Sequence, residues 1–211
     1  MDEVAKIQLS KREMELVNNT DWIFTKRIII EKVYLLLGQL HEDFKKIVLD
    51  EEQFLPSEFK KPGGKISKGE NYKGLPYVIL DYPGFFSKEK IVAVRTLFWW
   101  GNFFSIALHI SGESFSEDLL SNRAIEFLKK KNFSVCINKN EWQHDFHPAN
   151  FVECHEINEP ELNKLREKKF LKIAKKTNLA EWKSASTFLK EAFEEIIEFV
   201  KLSFPGGEKD L

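Results

Sequence analysis

The spacing of apolar residues predicts two helices at the N-terminus. Ser10 and Glu13 have the spacing of a capping box, which indicates a short first helix that ends near Asn18 and Asn19. From Trp22 onward, apolar residues recur at steps of three and four, as on one face of a helix. The members of this stripe are Ile29, Val33, Leu36, Leu40, Phe44, Ile47 and Val48. The second helix is therefore expected to reach about residue 49 and to be the longest in the chain.

The helical period is lost over residues 50–74, a segment with two prolines, four glycines and five lysines. We predict a long irregular loop here, and connections of this length are usually functional or mobile. A strand is then predicted over residues 77–82 because apolar and aromatic residues follow without a break. Pro76 stands at its first position, where a missing N–H costs least, and Pro83 and Gly84 are expected to end it.

The clearest hairpin signal lies where "KIVAVRTLFWW" and "FFSIALHIS" flank Gly101 and Asn102. A two-residue turn would pair residues whose numbers sum to 203, so that Arg95 faces Leu108. His109 would then lie opposite Val94 on the other face. Both faces are apolar enough to be covered, which places the hairpin inside an antiparallel sheet with helices packed on it. A turn of odd length would exchange the faces.

The rest of the chain alternates predicted helices and short strands. Helices are expected over residues 116–131, from Asn158 and over residues 181–204. Strands are expected over residues 133–137 and 150–157. Residues 170–176 fit either a strand or a continuation of the preceding helix, and we favour a strand. Together these elements predict an α+β fold with a mostly antiparallel sheet of about five strands, with N-terminal helices and a C-terminal helix packed on it. Residues 1–204 are expected to form a single domain, followed by a flexible C-terminal tail over residues 205–211.

Composition narrows the class of protein. Of the 211 residues, 43% are hydrophobic, which is enough for a sizeable core, and 32 basic residues nearly cancel 33 acidic ones. This balance gives no reason to expect attraction to nucleic acid or to an anionic membrane. Two cysteines, Cys136 and Cys154, and a charged N-terminal sequence without a secretory apolar segment predict a cytoplasmic protein.

A lysine-rich and glycine-rich stretch before the first predicted strand suggests an anion site. Exposed backbone N–H groups and lysines together favour phosphate or a polyanion. The stretch matches no phosphate-binding motif, and a solvated mobile loop is the alternative interpretation. The candidate ligand-binding residues are Lys68, Tyr72, Lys73, Tyr82 and Arg95.

Arg95 is the only charged residue in the apolar run of the hairpin after Lys90. A buried guanidinium needs a carboxylate partner or an anionic ligand. Asp81 on the preceding strand is the best internal partner, and we favour the ion pair over ligand capture.

A second group of residues has side chains that bind metals. His144 and His147 form an H-x-x-H pair and are weak candidates for a metal site, with Cys154 and His155 further along the chain. Adjacent residues of a strand point to opposite faces, so Cys154 and His155 cannot readily join the two histidines. The spacings of known zinc sites do not fit, and we predict no cofactor. The chain has no recognised hydrolase or dinucleotide motif, so we assign no catalytic residue and leave open whether it is an enzyme.

Three stretches carry a family resemblance: "KGENYKGLPYVILDYP", "RTLFWWGNFFSIALHISG" and "EWQHDFHPANF". Through them the chain resembles a family of uncharacterised bacterial proteins of about this length, over most of the chain after residue 60. The "YKGLP" stretch also resembles a second such family with a G-Y-K-x-L-P-H pattern, from which Asn71 and Tyr77 depart. The resemblance implies a bacterial cytosolic domain and brings no activity, cofactor or catalytic residue.

The leading hypothesis from the sequence is a non-enzymatic binding or regulatory domain for a small anionic ligand. The alternatives are a metal-dependent enzyme that uses His144 and His147, and a partner-binding protein that buries exposed Phe and Trp side chains in a homodimer.

Overall fold

The chain begins with two helices of very different length. The computed structural model describes residues 7–60 and 63–204. Its helices in that part of the chain are α1 Lys11–Val17, α2 Thr20–Asp50, α3 Asn122–Lys130, α4 Glu159–Arg166 and α5 Ala185–Ser203. Short 3-10 turns cover Glu52–Phe54, Glu117–Leu120, Cys154–Glu156 and Leu179–Glu181. The tail predicted over residues 205–211 lies outside the described residues. None of the described helices is both long enough and apolar enough to cross a membrane.

The caps of the first two helices agree with the sequence signals. Ser10 and Glu13 form a complete capping box, and the Asn19 side chain accepts a hydrogen bond from the backbone N–H of Trp22. The predicted long helix is confirmed, and its apolar stripe is buried from Val33 to Val48. All described residues of α1 are exposed, so this helix contributes nothing to the core.

The strands form one antiparallel sheet, which confirms the predicted α+β class with N-terminal and C-terminal helices. Its strands are β1 Lys65–Tyr72, β2 Leu75–Phe86, β3 Lys90–Trp99, β4 Phe103–Gly112, β5 Ser134–Cys136, β6 Phe151–Glu153 and β7 Phe170–Asn178. Their order across the sheet is β1-β2-β3-β4-β7-β5-β6. The described residues thus give seven strands where the sequence predicted about five.

The extra strand at one edge corrects the prediction of a loop over residues 50–74. β1 pairs with β2 through a tight turn at Lys73 and Gly74, whose φ angles are +51° and +81°. The strand is polar because it lies at the edge of the sheet, where charged side chains face water. Gly69 lies opposite Tyr77, and a Cβ there would come within 2.5 Å of the tyrosine ring. The glycine therefore serves strand pairing and not a phosphate cradle.

The hairpin of β3 and β4 has a register that differs from the predicted one by one residue. Three residues, 100–102, separate the strands, and Gly101 has a φ of +71°. Arg95 pairs with Ala107, and Ala93 pairs with His109. Because the turn has an odd length, His109 lies on the same face as Arg95, against the prediction of opposite faces.

β2 carries a one-residue bulge where the sequence predicted its end. Asp81 pairs with Arg95, whereas Gly84 pairs with Ala93, so β2 has one residue more than β3 between these pairs. The strand continues past Pro83 to Phe86. Because the bulge resets the alternation of side chains, Asp81, Gly84 and Phe86 all lie on the face of Arg95.

Different elements pack on the two faces of the sheet. Helices α2 and α5 pack on the face of Val94 and Leu108, and Phe44 stacks on Phe193 at 3.9 Å between ring centroids. The opposite face is free of helices in the described residues. It is covered in part by residues 137–150, which we call the capping loop.

Candidate functional site

Four polar residues lie side by side on the face under the capping loop. Asp81 of β2 is opposite Arg95 of β3, and His109 of β4 is opposite Lys172 of β7. The exposed fraction is only 1% for Lys172 and 5% for His109. Buried ionisable groups need partners, so their contacts define what this face can do.

Arg95 and Asp81 form a two-point ion pair, which confirms the interpretation made from the sequence. Nε lies 2.7 Å from Oδ1, and Nη2 lies 2.9 Å from Oδ2. Nη1 lies 3.2 Å from Nε2 of His144. A guanidinium has five N–H groups, so two remain without a partner among the described residues.

Lys172 fastens the capping loop to the sheet. Its Nζ lies 3.0 Å from the carbonyl oxygen of Glu141, 2.5 Å from that of Gln143 and 3.1 Å from Nδ1 of His144. Burial lowers the pKa of Lys172 to about 8. A cation with no carboxylate in direct contact is unusual at this depth, and its contacts are with two carbonyl groups and an imidazole.

Both histidines of the cluster have lowered pKa values. Burial and the nearby Lys172 and Arg95 charges lower the pKa of His144 to about 2. Burial and Lys172 lower the pKa of His109 to about 4, although its Nε2 lies 3.2 Å from a carboxylate oxygen of Glu141. Both imidazoles are therefore neutral near pH 7.

The contacts of His144 argue against a metal site at the weak candidates His144 and His147. Both ring nitrogens of His144 are engaged, Nε2 by Arg95 and Nδ1 by Lys172, so neither is free to bind a metal ion. Nδ1 of His147 accepts a hydrogen bond from the backbone N–H of Ala149. Among residues 7–60 and 63–204, no group of three His, Cys, Asp or Glu side chains could hold a metal ion.

Asparagine side chains shape the capping loop from within. Oδ1 of Asn138 accepts from the backbone N–H of Asn140, whose own Oδ1 accepts from the N–H of Trp142. Nδ2 of Asn138 donates to Oδ1 of Asn150 at 2.8 Å, which joins the two ends of the loop. These short-range bonds place Trp142 over the charged face.

The turn between β1 and β2 also binds the capping loop and holds it against the sheet. Lys73 Nζ lies 2.7 Å from Oδ2 of Asp145, and the backbone N–H of His144 donates to the Tyr72 hydroxyl at 2.9 Å. Although burial opposes ionisation, the hydrogen bond from Lys73 lowers the pKa of Asp145. Tyr72 and Lys73 are therefore used within the protein, where they hold the loop.

Beside the fastened loop, Arg95 opens into a pocket of about 460 Å³. The guanidinium carbon lies 6.0 Å from the ring centroid of Phe86 and 5.9 Å from that of Trp142. The lining residues are Gly63, Gly64, Lys65, Asp81, Gly84, Phe86, Arg95 and Trp142. Two basic groups and one acidic group give the lining a net positive charge.

The five predicted ligand residues do not form one site. Tyr72, Lys73 and Arg95 lie on the face of the capping loop, and only Arg95 lines the pocket. Lys68 pairs with Val78, whose side chain faces the core, so Lys68 lies on the opposite face beside α2. Tyr82 is also on that face, 6% exposed and packed edge-on against His41.

Sequence reasoning missed Lys172, Phe86 and Trp142. A signal for Lys172 was present, because it is the one charged residue between Phe170 and Ala174, in a run that reads as a buried strand. No comparable signal marks Phe86, whose position depends on the bulge.

No protein-family model, no curated protein and no solved structure matches this chain. The family resemblance carried by the three sequence stretches therefore stays a prediction, and function has to be argued from the geometry.

Proposed function

We propose that the protein is a non-enzymatic domain that binds a small organic anion in the pocket beside Arg95. The observation that carries this proposal is the set of hydrogen bonds made by the Arg95 guanidinium. Asp81 and His144 hold it in place, yet two of its N–H groups have no partner among the described residues. A fixed guanidinium with free donors at a pocket is suited to a carboxylate, sulfonate or phosphate group.

The aromatic walls narrow the class of ligand. Phe86 and Trp142 are 44% and 45% exposed, and both rings lie beside the Arg95 guanidinium. Exposed aromatic side chains at a concave site favour a flat apolar group, while a few polar groups fix its orientation. A ligand with an aromatic ring and one acidic group matches both features, and Lys65 adds a second positive charge at the rim.

The proposal includes a cytoplasmic location and a bacterial source, as expected from the sequence. The cytoplasmic location is supported by Cys136 and Cys154, which are buried free thiols. Free thiols are typical of proteins kept in a reducing compartment.

Benzoate tests the proposal, with neutral benzamide as the matched compound. We expect benzoate to bind more tightly by calorimetry, and Trp142→Ala and Lys65→Ala each to weaken it about fivefold, the effect of one aromatic contact or one rim charge. Lys68→Ala is the matched control, because it removes a lysine from the same strand on the other face. Equal affinity for the two compounds, or an equal loss in Lys68→Ala, contradicts the proposal.

A further inference from the structure

His144 lies between two side chains that are ordinarily cations. Its Nε2 is 3.2 Å from Nη1 of Arg95, and its Nδ1 is 3.1 Å from Nζ of Lys172. A neutral imidazole has one N–H donor and one acceptor nitrogen. Arginine keeps its proton and has no acceptor, so the contact with Arg95 requires that Nε2 accept and that Nδ1 carry the hydrogen.

The Nδ1–H group then needs an acceptor, and the nearest one is Lys172. Only an unprotonated amine has the lone pair for this contact. The two N–H groups of that amine donate to the carbonyl oxygens of Glu141 and Gln143. With Lys172 neutral, both ring nitrogens of His144 and the lone pair and two N–H groups of the amine all have complementary partners.

Protonation of Lys172 changes this arrangement. The amine takes the Nδ1 proton of His144, and Nε2 takes one proton from solvent, so the net uptake is one proton. The ammonium now donates to Glu141, Gln143 and Nδ1. Nε2–H and an N–H of Arg95 are then two donors facing each other across 3.2 Å, and this contact has to open. Arg95 thereby gains a further N–H group for a ligand.

We infer that Lys172 and His144 are positioning residues that make the Arg95 pocket take its anion together with one proton. This inference rests on the proposed function and specifies how the same site is regulated. An anion on Arg95 accepts the released N–H and offsets the added positive charge, so occupancy and protonation favour each other. The site therefore binds anions more tightly as the pH falls through the pKa of Lys172.

The other charged and titratable groups around Lys172 are compatible with a transition near neutral pH. Its pKa of about 8 places the transition within about one pH unit of neutrality. The facing groups are His144, Glu141 and Asp145 of the capping loop, Arg95 of β3, His109 of β4 and Cys136 of β5. The two carboxylates favour the ammonium, whereas Arg95 disfavours it, which is why an anion on Arg95 shifts the balance.

Nuclear magnetic resonance on the unliganded protein tests the proton states directly. We expect one lysine Cε resonance, absent in Lys172→Met, to titrate about two pH units below the exposed lysines. Above its transition, His144 should carry its hydrogen on Nδ1, and below the transition on Nε2. Titration of Lys172 together with the exposed lysines, or a His144 tautomer that does not change, overturns the inference.

Benzoate binding measured at several pH values tests the coupling. If benzoate raises the pKa of Lys172 by about one unit, its affinity rises about sevenfold between pH 9.5 and pH 7. Calorimetry in two buffers of different ionisation enthalpy should show uptake of about half a proton near pH 8.5, midway between the two pKa values of Lys172. Lys172→Met is expected to bind benzoate with little dependence on pH.

Lys168→Met is the matched control for this series. Lys168 also reaches backbone carbonyl groups, those of Cys136 and Asn138, but it contacts no histidine. This variant should keep the pH dependence of the wild type. An affinity that stays flat with pH in the wild-type protein refutes the coupling. If benzoate binds at no pH, the proposed function fails, and the resonance titration still decides the proton states.

Discussion

Arg95 combines two roles that arginine side chains usually have separately. One edge of its guanidinium forms two hydrogen bonds with Asp81, as in a structural ion pair. The remaining N–H groups include donors that face a pocket. The side chains of Arg95 and Asp81 are 17% and 15% exposed, so the pair is partly withdrawn from water. The carboxylate therefore fixes the direction in which the free N–H groups point.

We expect Asp81→Asn to lower the free energy of unfolding by about 2 kcal/mol, because it leaves a largely buried guanidinium without its counter-charge. Urea denaturation measures the change. Glu70→Gln is the control, since it breaks the Lys26–Glu70 pair, whose carboxylate is 66% exposed. An exposed pair contributes less than about 1 kcal/mol, so similar losses in the two variants would mean that the Arg95 pair is no stronger than a surface contact.

Sequence reasoning was most successful at this scale where partners lie on consecutive strands. The pair of Asp81 and Arg95 follows from two neighbouring strands of a hairpin, whose residues meet at a short separation along the chain. His144 and Lys172 could not be paired in this way. Their contact depends on a loop that folds back over the sheet, and no spacing in the sequence specifies its path.

Helix α1 and the first half of α2 extend beyond the core. Large apolar side chains on these helices are about half exposed, among them Met14, Trp22, Phe24 and Ile28. Exposed apolar surface of this kind often marks an interface. If the alternative of a homodimer holds, we predict that these two helices form its interface.

We expect the sedimentation coefficient of the wild-type protein to rise with concentration, and a Phe24→Glu, Ile28→Lys double variant to weaken the association about tenfold or more, because charges would be desolvated in an apolar interface. Leu49→Glu is the control, because Leu49 is an even more exposed apolar residue at the other end of α2. A wild-type protein that sediments as a monomer at every concentration would remove the dimer from consideration.

Elements were predicted well where periodicity was strong and poorly where it was weak. The long stripe of α2 was sufficient to identify the helix and its end. β1 was missed because an edge strand need not alternate between apolar and polar residues when neither face is fully buried. The register of the β3–β4 hairpin was wrong by one residue because the sequence does not fix the length of the turn.

The folded protein as a whole buries two neutral histidines, His109 and His144, which are protonated more readily in the unfolded chain. Burial lowers the pKa of His109 to about 4 and that of His144 to about 2, against an ordinary value of 6.5. Between these values and 6.5 the unfolded state binds more protons than the folded state. The stability that these two neutral imidazoles contribute is therefore fully present above about pH 6.5 and is lost as the pH falls.

We expect the free energy of unfolding to drop by about 2 kcal/mol for each of these histidines between pH 7 and pH 5, as the linkage relation requires. Urea titrations at several pH values measure the slope. His144→Gln should reduce this acid sensitivity, whereas His155→Gln, which replaces an exposed histidine, should leave it unchanged. A wild-type stability that does not change between these pH values is incompatible with buried neutral imidazoles.

The bulge in β2 separates one strand into two stretches that can change independently. Before the bulge, alternate side chains face the core under α2. After the bulge, the alternation is shifted by one residue, so that Phe86 faces the pocket. A substitution on either side leaves the other stretch in phase, whereas deleting one residue between Asp81 and Gly84 would turn Phe86 toward the helices. Substitutions at this end of the strand can thus change ligand preference while the core is conserved. Insertions or deletions within the bulge would instead disrupt the pocket.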